Sequence, residues 1–244
     1  MTTSYTQRYM NGDHERVWQE LRALGPIPPN LAEDCAAVAA ETMRRAGRHI
    51  ARLAEALTNL GLVPRGTLLT PPTPADLTDL DLLTTQIGAL PAAVDACFRY
   101  VGGVDFTGDC PALQLGFEDA SQYHDLEGWQ LPDPLVLPDI AYLRDEWDMY
   151  TEAAEAEPEL AEEGFTFEFA PDDLTKSNIS GASLTIALPS SVADPVLYTK
   201  DDGTETTLVE ELRTSIAWGG MPGWSFGPAH APAALAGLRV TPDF

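Results

Sequence analysis

The chain has 244 residues, of which 44% are hydrophobic, and its 38 acidic residues against 14 lysines and arginines give a formal net charge of −24. This length and apolar content are sufficient for a globular core. Nucleic acids and anionic membrane surfaces are bound through lysine and arginine side chains that neutralise their phosphates. The charge therefore excludes nucleic acid and membrane surfaces as expected partners.

The acidic residues are unevenly distributed along the chain. Residues 1–65 contain eight arginines and seven acidic residues, whereas residues 118–173 contain eighteen acidic residues and one base, Arg144. An acidic field attracts basic partners. The same acidity is also consistent with a role in keeping the protein soluble or with adaptation to a salty cytoplasm.

The first 63 residues are predicted to be helical. Asp13 is placed to begin one helix, which ends at Gly25-Pro26, and residues 31–60 repeat apolar side chains every three or four positions until Gly61. The two helices can form a hairpin. Residues 61–78 contain four prolines and two glycines, which predicts a boundary there. The segments 1–63 and 79–244 form either two units or one continuous domain.

Residues 89–108, ALPAAVDACFRYVGGVDFTG, predict a helix that passes directly into a strand. Pro91 suits a first helical turn, and Gly102-Gly103 suits a helix end because glycine adopts left-handed conformations without a steric penalty. The run VDFTG then has the short alternating pattern of a strand. We expect a helix to deliver the chain into a sheet here.

Further strands are predicted at 134–138, 164–172 and 183–189, and further helices at 138–157, with Asp139 as the cap, and at 206–218. These elements do not follow a regular strand–helix–strand rhythm. The sequence therefore predicts an α+β fold, with a mostly antiparallel central sheet packed with helices and preceded by the N-terminal hairpin.

Common catalytic and cofactor motifs are absent from the sequence. It contains no GxGxxG, GxxxxGK[ST], GxSxG or HExxH pattern, and Cys35, Cys97 and Cys110 are too far apart for a CxxC site. We expect buried free thiols, no cofactor and no metal.

The chain also has no apolar run of eighteen residues and no secretory signal pattern at its beginning, so the expected location is the cytoplasm.

His124 marks the one stretch in which a histidine has neighbouring carboxylates, Asp119, Asp125 and Glu127. Carboxylates raise the basicity of an imidazole and are hard metal ligands, so the alternative function is a metal-dependent hydrolase. An exposed polar loop accounts for the same residues.

Trp218 and Trp224 enclose a Gly/Pro-rich turn, GGMPG. Paired aromatic side chains are typical of recognition surfaces, but they also fill cores. Both interpretations stay open.

The helix beginning at Leu90-Pro91 and ending at Gly102-Gly103, together with the late helix that contains Leu208, Val209 and Leu212, resembles the SUKH superfamily of cell-wall assembly regulators and bacterial immunity proteins. The resemblance covers about residues 79–220. It implies a non-enzymatic binding module that neutralises a basic toxin domain through an acidic surface. The candidate binding residues are Asp119, Asp125, Glu127, Asp172, Asp173, Trp218 and Trp224.

Overall fold

The structure is a computed structural model, and it describes residues 4–116, 132–169, 184–198 and 205–244. Within these ranges all paired strands are antiparallel and helices cover them, so the predicted α+β class and the N-terminal helical region are confirmed. The strands are divided among three small sheets rather than gathered in one. No helix in the described ranges has both the length and the apolarity needed to cross a membrane.

Three helices form the N-terminal region: α1 (Tyr5–Met10), α2 (His14–Ala23) and α3 (Ala32–Leu60). Helices α2 and α3 contact each other where the indole N–H of Trp18 in α2 donates to the hydroxyl of Thr42 in α3 at 3.1 Å. Helix α3 ends at Gly61, whose φ of +100° is the left-handed conformation expected at a helix end. Asp13 lies at the N-cap of α2 but makes no capping bond, since its carboxylate binds Arg8 instead.

The middle of the chain contains two helices and two small sheets. Helix α4 spans Pro74–Ile87 and α5 spans Ala92–Tyr100. The first sheet pairs β1 (Val63–Pro64) with β4 (Gly108–Asp109), and the second has the order β2 (Leu69–Thr70), β3 (Gly103–Asp105), β5 (Val136–Leu137). Residues 61–78 therefore contribute strands as well as a connection.

Gly102 explains why α5 is followed at once by a strand. Its φ is +76°, and a Cβ atom at this position would lie 2.4 Å from the carbonyl oxygen of Thr70 in β2. A Cβ on Gly103 would lie 3.0 Å from the Cβ of Asp139. The first glycine therefore allows both the turn and the close approach of β2, and the second lets the segment beginning at Asp139 pack against β3.

The acidic half of the described chain contains α6 (Ile140–Ala156) and α7 (Pro158–Glu163), followed by β6 (Phe165–Glu168). Asp139 caps α6 as predicted by accepting a hydrogen bond from the backbone N–H of Tyr142 at 2.9 Å. The predicted helix stops near Glu157, and Pro158 occupies the first position of α7. This agrees with the preference of proline for a first helical turn.

The third sheet has the order β6, β7 (Thr185–Leu188), β8 (Val196–Tyr198), β9 (Glu205–Thr207), and it leads into α8 (Leu208–Ala217). Phe165 and Phe167 point to its inner face, where their rings contact aromatic side chains of α6 and Phe98 of α5. Thr166 alternates to the other face and is exposed. The sheet thus has one face covered by helices and one face turned outward.

The buried hydrophobic side chains form one cluster to which most of the helices and the third sheet contribute. It includes Trp18 of α2, Leu57 of α3, Phe98 of α5, Phe167 of β6 and Ile216 of α8. Helix α3 is the main support, because a long series of buried side chains lines it from Cys35 to Leu57. Helix α6 and strand β6 join the same cluster through Ile140, Leu143, Phe165 and Phe167.

Candidate functional site

The exposed surface of α6 and α7 is strongly acidic. On α6 four exposed acidic residues follow one another at spacings of three and four, which places them along one face. They are Asp145, Asp148, Glu152 and Glu155. Helix α7 adds Glu159, Glu162 and Glu163, which are also exposed. We call these seven residues the acidic ridge.

The one base in the range 132–169 is engaged by an acid of a different helix. Arg144 of α6 forms a two-pronged hydrogen-bonded ion pair with the carboxylate of Asp79 in α4. This ion pair raises the pKa of Arg144, so the side chain stays charged and paired. The guanidinium group of Arg144 is therefore directed to α4, and the acidic ridge keeps its excess negative charge.

The acidity continues from α6 onto the neighbouring sheet. Burial raises the pKa of Glu146, and the nearby negative charges of Glu168 in β6 and Asp145 act in the same direction. A hydrogen bond from Tyr142 opposes this effect. The carboxylates of α6 and β6 are thus close enough to repel each other, and a cation placed beside them would relieve that repulsion.

Many of the arginines elsewhere in the described residues are also paired with acids. Ion pairs within 4 Å are made by Arg8, Arg16, Arg22, Arg44, Arg45, Arg99 and Arg213. These arginines neutralise acids in their own surroundings, and none of the ion pairs made by them involves a residue of the acidic ridge.

Most of the sequence-predicted site residues lie outside the described residues. This applies to Asp119, His124, Asp125 and Glu127, and also to Asp172 and Asp173. Their binding role and the hydrolase alternative both stay predictions. Twelve of the eighteen acidic residues of the segment 118–173 do lie in the described range 132–169, and they include the acidic ridge.

The two tryptophans have different environments. Trp224 is only 2% exposed, in a 3₁₀ helix over Pro222–Ser225, and no hydrogen-bond partner for its indole N–H is found among the described atoms. Its burial favours the core-filling interpretation. Trp218 is half-buried, and the guanidinium of Arg239 stacks 3.9 Å from its ring centre. The pair does not form one exposed aromatic patch.

Nucleophilic and metal-binding chemistry has little support in the described ranges. Burial raises the pKa of Cys97 to about 12 and also raises that of Cys35, which makes both thiols poor nucleophiles. No group of three or more histidine, cysteine, aspartate or glutamate side chains is placed to hold a metal ion within these ranges. His14 accepts a hydrogen bond from Arg45 at 3.1 Å, and burial lowers its pKa, so its imidazole is occupied structurally.

A buried carboxylate that sequence reasoning did not identify joins α2 to α8. The side chain of Asp194 is fully buried, lies 3.1 Å from the guanidinium of Arg22 and accepts a hydrogen bond from the backbone N–H of Val209 at 3.2 Å. Burial raises its pKa to about 6. Asp194 and Arg22 are separated by 171 intervening residues, so no local pattern could connect them.

A comparison of the chain with protein-family models, with curated proteins and with solved structures finds no match.

Proposed function

We propose that this protein is a non-enzymatic binding module that engages a basic protein partner through its acidic surface. The observation that carries the proposal is the acidic ridge, a row of exposed carboxylates on α6 and α7 in a range, 132–169, whose one base, Arg144, is paired with Asp79. A row of this kind is unfavourable for the isolated protein because like charges repel at helical spacing. A cationic partner converts that repulsion into attraction.

The ridge has the organisation of a recognition surface. Met149, which is 58% exposed, lies between Asp145, Asp148 and Glu152. Interfaces typically combine an apolar contact with a polar or charged rim, and methionine is enriched in them. A role in solubility would account for the carboxylates of the ridge, but it would not account for an exposed apolar side chain among them.

The specific partner that we propose is a basic toxin domain, with this chain acting as its immunity protein in the cytoplasm. The SUKH resemblance of the segments at Leu90-Pro91, Gly102-Gly103 and Leu208–Leu212 supports this identity. The charge supports the same identity independently, because a toxin that acts on nucleic acid carries the positive surface that an acidic protein complements.

The first test is purification from the native source at low salt, with identification of proteins that leave the complex when the ionic strength is raised. A reading frame for a basic toxin domain beside the gene supplies the candidate partner, which is then expressed and titrated directly. We expect binding that weakens steeply with salt. Absence of any salt-sensitive associate, together with no binding to the neighbouring gene product, would contradict the proposal.

A charge-reversal pair assigns the binding to the ridge. Asp148→Lys with Glu152→Lys should weaken binding by at least about tenfold, because it places two cations in the middle of the acidic ridge. The matched control is Glu15→Lys with Glu55→Lys, two exposed acidic residues of α2 and α3, which changes the net charge equally. If both doubly substituted proteins lose the same affinity, total charge rather than the ridge governs binding.

A further inference from the structure

The outward face of the four-stranded sheet carries two rows of side chains that run across all four strands. The pairings Thr166↔Ala187 and Val196↔Thr207 belong to one row, and Glu168↔Thr185, Thr185↔Tyr198 and Tyr198↔Glu205 belong to the next. The register of β7 with β8 places Ala187 opposite Val196 and so completes the first row. From β6 to β9, the rows read Thr-Ala-Val-Thr and Glu-Thr-Tyr-Glu.

The centre of this face is apolar and open. Val196 is 40% exposed and Tyr198 is 37% exposed on β8, and Ala187 beside them is also exposed. Thr185, in the second row, is buried, and its hydroxyl donates to the carbonyl of Tyr198 at 3.2 Å, so the exposed centre of this face is made by Ala187, Val196 and Tyr198. The opposite faces of the same strands bury Phe167, Ile186 and Leu197, so the outward side chains are not needed for the core.

The two ends of the second row are acidic. Glu168 lies on one edge strand and Glu205 on the other, with three strand spacings between them, or about 14 Å. Glu168 is also the residue whose charge acts on Glu146 of α6. Negative charge therefore lies at both ends of the row that contains Tyr198, next to the row that contains Val196.

We infer that the outward face of β6–β9 is a second surface that the basic partner contacts, in addition to the acidic ridge, with Val196 and Tyr198 as the apolar centre and Glu168 and Glu205 as the anionic ends. This inference rests on the proposed function and adds a contact surface and the chemistry of the partner element that it fits. The charge of the face selects a cationic occupant, and a second copy of a chain with net charge −24 is repelled from it.

The matching partner surface is a helix with two basic side chains seven residues apart and aliphatic side chains between them. Seven residues of helix span about 10.5 Å, and the length of two arginine side chains extends this to the separation of Glu168 and Glu205. The aliphatic residues at the third and fourth positions of the same helical face then meet Val196 and Tyr198. This is a helix laid across a sheet rather than a strand added to its edge.

The test uses a helical alanine-based peptide that carries arginines seven residues apart with two leucines between them on the same face. The peptide is titrated into the full chain labelled with ¹⁵N, and amide resonances report the contact. We expect saturable shifts at Ala187, Val196 and Tyr198. A peptide of the same composition with its arginines moved to the opposite face should bind at least about fivefold more weakly.

Val196→Thr with Tyr198→Thr keeps residues that favour strands and removes the apolar centre. It should weaken peptide binding by about tenfold, the size expected when the central contacts of an interface are lost. Val63→Thr, at a 65% exposed valine of β1, is the matched control and should stay within twofold of the unmodified protein. Unchanged ¹⁵N spectra away from the substitutions establish that each variant is folded.

The outcomes separate this inference from the proposed function. Saturable shifts confined to α6 and α7 would overturn the sheet face as the docking surface while leaving an acidic binding module in place. No saturable shift with either peptide, combined with no salt-sensitive associate, would overturn both. Concentration-dependent shifts of Val196 and Tyr198 without peptide would identify a second copy as the occupant and would also overturn the inference.

Discussion

Asp194 should make the stability of the protein depend on pH in a direction opposite to that of an ordinary ion-paired carboxylate. Its side chain is fully buried, and burial raises its pKa from 3.8 to about 6, outweighing the ion pair with Arg22 and the hydrogen bonds from Thr207 and Val209. Folding therefore favours the protonated form. The stability contributed by this group is fully present below pH 3.8 and is lost as the pH rises through about 6.

The expected magnitude follows from these two pKa values. Linkage gives a loss of about 1 kcal/mol in the free energy of unfolding between pH 5 and pH 8 from this one carboxyl. Asp194→Asn removes the titration, because an amide is neutral at both pH values. Its own effect on stability is constant with pH, since the Asn side chain meets the same Arg22 cation throughout.

The assay is chemical denaturation of the unmodified protein and of Asp194→Asn at pH 5 and pH 8. The difference between the two pH values should be smaller in Asp194→Asn by about 1 kcal/mol. Glu159→Gln, at an exposed position of α7, changes the net charge equally and should retain the unmodified pH dependence. Identical pH dependence in all three proteins would refute the reasoning about Asp194.

Two further predictions concern the core and the overall charge. Trp224→Ala should lower the free energy of unfolding by about 3–5 kcal/mol because the ring is 2% exposed, whereas Phe226→Ala, at a 73% exposed ring two residues later, should change it by less than about 0.5 kcal/mol. Equal effects of the two substitutions in denaturation experiments would show that Trp224 does not fill the core. The melting temperature should rise from low to moderate salt, because screening relieves the self-repulsion of a chain with net charge −24. A scanning calorimetry series with no salt response would show that the charges are already compensated.

The long helices and their ends were predictable from the sequence because their signals are local. The apolar repeat of residues 31–60 predicted α3 and Gly61 predicted its end, and both agree with the structure. Helix α1 was not predicted. It has six residues and depends on the distant Asp34 of α3, whose carboxylate accepts hydrogen bonds from the backbone N–H groups of Tyr5 and Thr6.

The short strands and the contacts between distant residues were harder to predict from the sequence. Strands β8 and β9 have three residues each, which is too few for an alternating pattern to be distinguished from a loop. Gly102 was predicted as a helix end, but the need for glycine also comes from the carbonyl of Thr70, which no spacing rule reveals. The excess of acids was visible in the sequence, whereas the engagement of Arg144 by Asp79 required the fold.

The ion pair between Arg144 and Asp79 also has a kinetic consequence. With its nearest cation held by α4, the ridge projects its field over about a Debye length, roughly 8 Å at physiological ionic strength. Such a field speeds the encounter with a cationic surface, and steered association reaches about 10⁸–10⁹ M⁻¹s⁻¹ at low salt. The lifetime of the complex depends instead on short-range contacts. Asp79→Asn would release Arg144 toward the ridge and slow the encounter, while the dissociation rate would stay the same.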